Sequence, residues 1–310
     1  RIVQYQSVVV LMMVGAVWCG WRFYHAPAQA QRYLTAAAVM AAVGLLAHYD
    51  YMFVLLVLAL LVLAGGIRAG WRGREWIHAL ALPVLIGGGL LLSFYLPFVL
   101  HENFQGTLAY LGQRTGEDGA LLSNNLPGYH TIATFYNTTY QINGLGSVLA
   151  AALLVWLVIY VRPRLAGWLL AIWWLAGVLV LVFAADWLQV MDTLNVAIVV
   201  FALPLAALIL SPATPLPLRV LLLWFAPPFL AESFLISDPR THFYTMDTAA
   251  ALLIGLALAQ FVAWLHSRPR LAWVRIPLAA GGVGLLTLAT VYMVLVLDRK
   301  STRLNSSHYS

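Results

Sequence analysis

The sequence predicts an all-α protein, a polytopic transmembrane helical bundle of about ten spans with long extracytoplasmic loops. Hydrophobic residues make up 63% of the 310 residues and charged residues only 9%, against roughly 45–50% and about 25% in soluble domains. A soluble core of this length could not bury so much apolar surface. Composition therefore excludes globular cytosolic, secreted and nucleic-acid-binding classes, and the single cysteine, Cys19, excludes a disulfide framework.

The apolar segments define the spans, because a membrane-crossing helix needs about 17–25 apolar residues. The first segment, 4–21, ends before Arg22. The next runs from 33 to 67, which at 1.5 Å per residue is about 52 Å and too long for one crossing. Its polar break, His48-Tyr49-Asp50, divides it into short helices at 33–47 and 51–67. The remaining predicted spans are 76–100, 144–161, 165–184, 187–210, 218–231, 248–265 and 276–297.

Arginines separate the two sides of this bundle. With alternating spans, eleven arginines fall on one side, which the positive-inside rule makes cytoplasmic; they are Arg22, Arg32, Arg68, Arg72, Arg74, Arg162, Arg164, Arg219, Arg268, Arg270 and Arg275. Only Arg1, Arg114 and Arg240 fall outside. The net charge of +6 therefore reflects topology and contact with anionic membrane lipids, and nucleic acid is not implied as a partner.

Acidic residues show the opposite distribution, so any carboxylate chemistry faces outward. Only Glu75 lies with the inner arginines, while eight acids fall at or beyond the outer surface: Asp50, Glu102, Glu117, Asp118, Asp186, Glu232, Asp238 and Asp247. Asp192 lies about one turn inside the predicted span 187–210, or in the outer loop if that helix starts later, and both alternatives stay open.

Two outer segments, 101–143 and 232–247, are too long and polar to be simple turns. In the first, the adjacent acids Glu117 and Asp118 lie between glycines. They could hold a divalent cation through oxygen ligands, the one cofactor that the sequence suggests. The alternative is a solvated Gly-rich turn.

The second outer segment contains Arg240, the exception to the inward distribution of arginine. A guanidinium beside hydrocarbon needs an anionic partner, and its five donors suit a phosphate, to which His242 and Tyr244 could add further donors. The alternative is an ion pair of Arg240 with Asp238 or Glu232, with His242 capping the following helix. The turn residues His48, Tyr49 and Asp50 form a second candidate cluster, or a polar turn that satisfies helix ends.

Both ends of the chain look unlike natural termini. The sequence begins Arg1-Ile2-Val3 without an initiator Met, so we expect further sequence upstream. Residues 298–310 are abruptly polar and carry the only lysine, Lys300, and DRKSTRLNSSH (298–308) resembles the in-frame translation of a widely used sequencing adapter. We therefore expect a transmembrane domain over 1–297 and a non-native tail over 298–310.

Three segments resemble those of a known family. They are the two short helices with their HYDY turn (33–67), similar to a THY hairpin; FYLPFVLHENFQGTLAYL (94–111), leading into a long outer loop; and DPRTHFYTMDTAAALLIGLALA (238–259), similar to a late arginine/histidine segment with its following helix. Over 1–297 the chain resembles the middle and C-terminal part of bacterial membrane glycosyltransferases of the GT-C superfamily, the group with the protein O-mannosyltransferases and aminoarabinose transferases.

The resemblance implies sugar transfer from a polyprenyl-phosphate-linked donor to a lipid, protein or polysaccharide acceptor, on the extracytoplasmic face of a bacterial cytoplasmic membrane. It implies a general base in a first outer loop, which we expect upstream of Arg1, and this fragment alone should then be inactive. Arg240, His242 and Tyr244 are the candidates for the donor phosphate, with His48, Tyr49 and Asp50 as secondary catalytic candidates. A transporter or flippase of lipid-linked saccharides is the alternative, and a non-catalytic envelope scaffold a third.

Overall fold

The chain folds into a bundle of α-helices in a computed structural model, which describes residues 5–114, 122–136, 139–191, 194–236, 242–268 and 273. The helices in chain order are α1 Tyr5–His25, α2 Ala30–Ala47, α3 Met52–Arg68, α4 Gly73–Leu100, α5 Phe104–Arg114, α6 Leu126–Tyr136, α7 Thr139–Tyr160, α8 Arg164–Phe183, α9 Ala197–Leu210, α10 Leu216–Leu230 and α11 Tyr244–His266. Short 3-10 turns lie at Pro27–Gln29, Tyr49–Tyr51 and Ala185–Leu188, and one π-helical turn, Ala231–Leu235, extends α10.

Eight helical segments of the described chain are long and apolar enough to cross a membrane. They contain α1, α2, α3, α4, α7, α8, α10 and α11, and they confirm the predicted all-α membrane bundle. The ninth predicted crossing corresponds to the shorter α9, of 14 residues. The tenth, 276–297, and the tail 298–310 lie outside the described residues.

The predicted span 187–210 differs from the structure at its start. Residues Gln189–Met191 (β1) and Leu194–Asn195 (β2) pair as a small antiparallel hairpin, and α9 begins only at Ala197. Asn195 explains the late start: its amide donates to Gln189 Oε1 at 2.9 Å, and its Oδ1 accepts from the Ala197 backbone N–H at 2.9 Å. An Asn oxygen that binds a helix's first N–H groups favours a helix start there. Asp192 itself lies outside the described residues.

The α2–α3 hairpin forms as predicted, with its break at His48-Tyr49-Asp50. His48 adopts an extended backbone (φ −167°, ψ 146°) that ends α2, and the next three residues form the 3-10 turn into α3. The turn packs closely against α2 because Gly44 has no side chain: a Cβ there would overlap the ring of Tyr51, which is fully buried. Gly44 and Tyr51 thus fix how the turn sits on α2.

The two ends of the bundle have different chemistry. At one end Arg22 lies over the rings of Trp18 and Tyr33, and Arg68 lies over Tyr24. Such contacts are typical of cationic and aromatic side chains at a membrane surface. The α2–α3 turn and the start of α11 lie at the opposite end, which we call the turn end.

Candidate functional site

The candidate site lies at the turn end, where two segments far apart in sequence meet. The 3-10 turn after α2 carries Asp50, and the residues that begin α11 carry His242 and Tyr244. The His242 carbonyl starts α11 by accepting hydrogen bonds from the backbone and hydroxyl of Thr245, at 3.2 and 3.0 Å. The contacts of Asp50 with His242 and Tyr244 bring together two of the three segments that carry the family resemblance.

Asp50 is the centre of the cluster. Its carboxylate is buried, with 1% of the residue exposed. His242 Nδ1 donates to Oδ2 of Asp50 at 2.7 Å, and the Tyr244 hydroxyl donates to the same oxygen at 2.9 Å. A buried carboxylate is costly unless it is paired and hydrogen-bonded. These donors therefore explain how Asp50 is tolerated at this depth.

His48 makes two competing contacts through one ring nitrogen. Its Nδ1 accepts a hydrogen bond from the Asp50 backbone N–H at 3.3 Å and lies 3.1 Å from Asp50 Oδ2. An unprotonated Nδ1 caps the 3-10 turn, whereas a protonated Nδ1 donates to the carboxylate. The first case corresponds to the predicted alternative of a polar turn that satisfies helix ends. His48 therefore belongs both to the turn and to the Asp50 cluster.

Aromatic rings surround the two histidines. The Tyr5 ring stacks on His48 with centroids 4.5 Å apart, and the Tyr49 ring lies 4.1 Å from His48 and 6.0 Å from His242. The two imidazole centroids are 5.1 Å apart. Tyr5 adds α1 as a third element of the site. The rings limit the access of water to the imidazoles, which strengthens their interactions with Asp50.

A second polar layer holds the segment that leads to α11. The Asn125 side chain donates to the carbonyls of Glu232 and Ile236, at 3.0 and 2.6 Å, and the Asn125 and Ser123 backbone N–H groups donate to the carbonyls of Ser233 and Phe234. This layer packs the start of α6 against the π-helical turn. Glu232, at 1% exposed, is buried within it.

Tyr129 links α6 to α11. Its hydroxyl donates to Asp247 Oδ1 at 2.9 Å, and its ring lies 4.8 Å from Phe243. Burial, followed by the neighbouring Asp247 carboxylate, raises the pKa of Tyr129 above its usual value. The phenol therefore stays protonated and keeps donating to Asp247 over the physiological pH range.

The bundle has a surface groove and an internal apolar cavity. A surface groove of about 490 Å³ runs along α1, lined by Gln6, Ser7, Val10, Leu11 and Val14, and ends at Tyr244 of the cluster. An apolar cavity of about 220 Å³ lies between α7, α8, α9 and α10, with Trp174, Phe201 and Phe229 in its wall. The groove combines a polar end at the cluster with an apolar flank.

The structure brings together five of the predicted site residues: His48, Tyr49, Asp50, His242 and Tyr244. Arg240, Asp238 and the Glu117-Asp118 pair lie outside the described residues, so their roles stay predictions. Sequence reasoning missed Tyr5, Asn125 and the Tyr129–Asp247 pair. A lone Tyr, Asn or Asp near a helix end carries no signal for a partner on a distant segment.

No known protein family, curated protein or solved structure matches this chain.

Proposed function

We propose that this chain is part of a membrane glycosyltransferase that uses a polyprenyl-phosphate-linked sugar at the turn end of the bundle. The contact of 2.7 Å between Asp50 and His242 carries the proposal. It joins the HYDY turn to the segment that begins DPRTHFY, two of the three places whose sequences resemble segments of GT-C enzymes.

The groove along α1 supports a lipid-linked donor. Val10, Leu11 and Val14 offer an apolar flank for an isoprenoid chain, while Gln6, Ser7 and Tyr244 line its polar part at the cluster. A lipid phosphate needs this combination, with hydrocarbon along the helix and polar donors near the membrane surface. The proposal puts this end on the extracytoplasmic side of a bacterial cytoplasmic membrane, because the arginine-rich end then faces inward.

The proposed reaction breaks the bond between the anomeric carbon and the donor phosphate. The acceptor hydroxyl oxygen attacks the anomeric carbon, the phosphate oxygen leaves with the bonding electrons, and a base takes the hydroxyl proton. Arg240 stabilises the departing phosphate. Asp50 acts as a positioning residue, because it holds His242 and Tyr244, and Arg240 precedes His242 by two positions in the sequence.

The placement of ionisable residues favours this function over a transporter. In the described spanning helices, every Asp, Glu, Arg and His lies within about two turns of a helix end. Transporters usually carry ionisable or broken-helix sites near the middle of the bilayer. Polar groups gathered at a surface suit chemistry on a lipid headgroup there.

The decisive test measures sugar transfer by the full-length protein. Arg240→Ala should lower transfer from a polyprenyl-phosphate sugar by about 100-fold or more, the size of effect seen when one transition-state donor is removed. Arg240→Lys should be intermediate, because it keeps the charge but loses the planar fork of donors.

Arg164→Ala is the matched control, since Arg164 is exposed at the opposite end of the bundle, and it should transfer at the wild-type rate. Full transfer by Arg240→Ala would exclude the proposed phosphate role. Translocation of a lipid-linked saccharide by proteoliposomes, without transfer to any acceptor, would instead support the transporter.

A further inference from the structure

We propose that His48, Asp50 and His242 bind one divalent transition-metal ion with the preference of zinc. Of the described residues, these three form the one group of His, Cys, Asp and Glu side chains that can offer three ligand atoms within 4.8 Å of one another. The site does not depend on the proposed sugar transfer, since it follows from the ligand types and their distances.

The ligand set fits a cation of borderline hardness, between hard and soft metal ions. Two imidazole nitrogens and one carboxylate oxygen suit zinc and its first-row neighbours, whereas magnesium and calcium prefer oxygen ligands throughout. Three protein ligands also leave a fourth coordination position for water or a substrate oxygen, as in catalytic rather than structural zinc sites. Cys19, the only thiol of the chain, lies in the middle of α1, away from this turn.

The distances require only a small adjustment. Ligand atoms about 2.0–2.2 Å from a tetrahedral zinc ion lie about 3.3–3.5 Å apart. Asp50 Oδ2 lies 3.1 Å from His48 Nδ1 and 2.7 Å from His242 Nδ1. Rotation of the His242 ring that moves its nitrogen by about 0.6–0.8 Å would open the shorter separation to this range.

The electrostatics of the cluster also favour a cation. When His48 Nδ1 accepts the Asp50 N–H, its lone pair and the carboxylate oxygen are two electron-rich atoms 3.1 Å apart. These two atoms repel each other, and a proton or a metal ion between them removes that repulsion. A single metal ion satisfies both histidines and the carboxylate together, while a proton satisfies one pair.

Residues around the three ligands hold them in place, as in known metal sites. Tyr244 donates to Asp50 Oδ2 at 2.9 Å, so it orients the carboxylate from outside the ligand set. Outer hydrogen bonds of this kind hold ligands in place and strengthen metal binding. The stacked ring of Tyr5 and the tilted ring of Tyr49 restrict rotation of His48.

The experiment measures zinc bound to the whole chain, purified in detergent with a tag that lacks histidine. After loading with zinc and dialysis, elemental analysis should find one zinc ion per chain. His48→Ala, Asp50→Asn and His242→Ala should each lower zinc affinity by about 10-fold or more. Cobalt loaded in place of zinc should give the visible absorption of a four-coordinate site, without a thiolate charge-transfer band.

Matched controls lie on the same part of the molecule. His130→Ala and Asp186→Asn change exposed residues and should keep full zinc binding. Glu117→Gln combined with Asp118→Asn tests the acidic pair that the sequence suggested, and it should also keep zinc. If His242→Ala does not fold, as judged by gel filtration and circular dichroism, the more exposed His48→Ala decides.

Two results would overturn the proposal. One is a wild-type chain that retains no zinc or cobalt above the level of its His48→Ala variant. The other is zinc retained fully in Asp50→Asn and His242→Ala, because the metal would then be bound elsewhere. Either result leaves the sugar-transfer test of Arg240 unaffected, so the two proposals fail separately.

Discussion

Asp50 shows how a residue's role depends on partners that its own sequence neighbourhood does not reveal. The polar break at 48–50 and the pattern of His242 and Tyr244 were both visible in the sequence, but their contact was not, because 192 residues separate Asp50 from His242. The sequence predicted that His242 and Tyr244 bind the donor phosphate. In the structure both donate to Asp50, and phosphate binding by Arg240, His242 and Tyr244 stays a prediction.

The Asp50–His242 interaction should be energetically coupled. In a double-mutant cycle with Asp50→Ala and His242→Ala, we expect a coupling of about 1–2 kcal/mol in the free energy of unfolding, the upper range for interhelical hydrogen bonds in membrane proteins. Reversible unfolding in mixed micelles, without added metal, measures it. The exposed pair His130–Asn143, with its hydrogen bond of 3.0 Å, is the control and should show no resolvable coupling. Equal coupling in the two pairs would mean that burial adds nothing to the Asp50 interaction.

At the scale of elements, the hairpin of α2 and α3 was predictable and the start of α9 was not. An apolar run about 52 Å long had to turn, and it contained one polar break where it could do so. Near 187–197 the sequence is apolar with scattered polar residues, and composition alone does not separate a strand from a helix there. The hydrogen bonds of Asn195 decide the outcome, and they depend on Gln189 across the hairpin.

Gly44 gives a direct test of the hairpin. Gly44→Ala should lower stability by about 1–3 kcal/mol, because the added Cβ overlaps the buried ring of Tyr51 next to Asp50. Gly88→Ala in α4 is the control, since nothing lies within 4 Å of a Cβ at that position, and alanine there should be neutral or slightly stabilising. Unfolding midpoints of the two variants make the comparison. Equal midpoints would show that α2 and Tyr51 move apart without cost.

For the whole molecule, the arrangement of arginines predicted which turns share an end. Counting alternate crossings put His48–Asp50 and 232–247 on one side, and the structure joins them. The described residues contain eight candidate crossings, α9 is shorter, and 276–297 lies outside the described residues. Which end faces the cytoplasm depends on the membrane and is predicted only from the positive-inside rule.

Single-cysteine labelling tests that orientation. Cys19→Ser removes the only thiol, and cysteine is then placed at Glu102 near the turn end or at Ser267 near the opposite end, both exposed. In intact bacterial spheroplasts, a membrane-impermeant maleimide should label Glu102→Cys and leave Ser267→Cys unlabelled until lysis. Labelling of both before lysis, or of Ser267→Cys alone, would contradict the assigned orientation.

The long separation between Asp50 and His242 also sets an order of events during synthesis. At roughly 5–20 residues per second, His242 leaves the ribosome about 10–40 s after Asp50. During that interval Asp50 has neither His242 nor Tyr244 as a hydrogen-bond donor. The neighbouring imidazole is then that of His48, in the same turn. The helix α11 therefore completes the environment of a carboxylate that was synthesised 192 residues earlier.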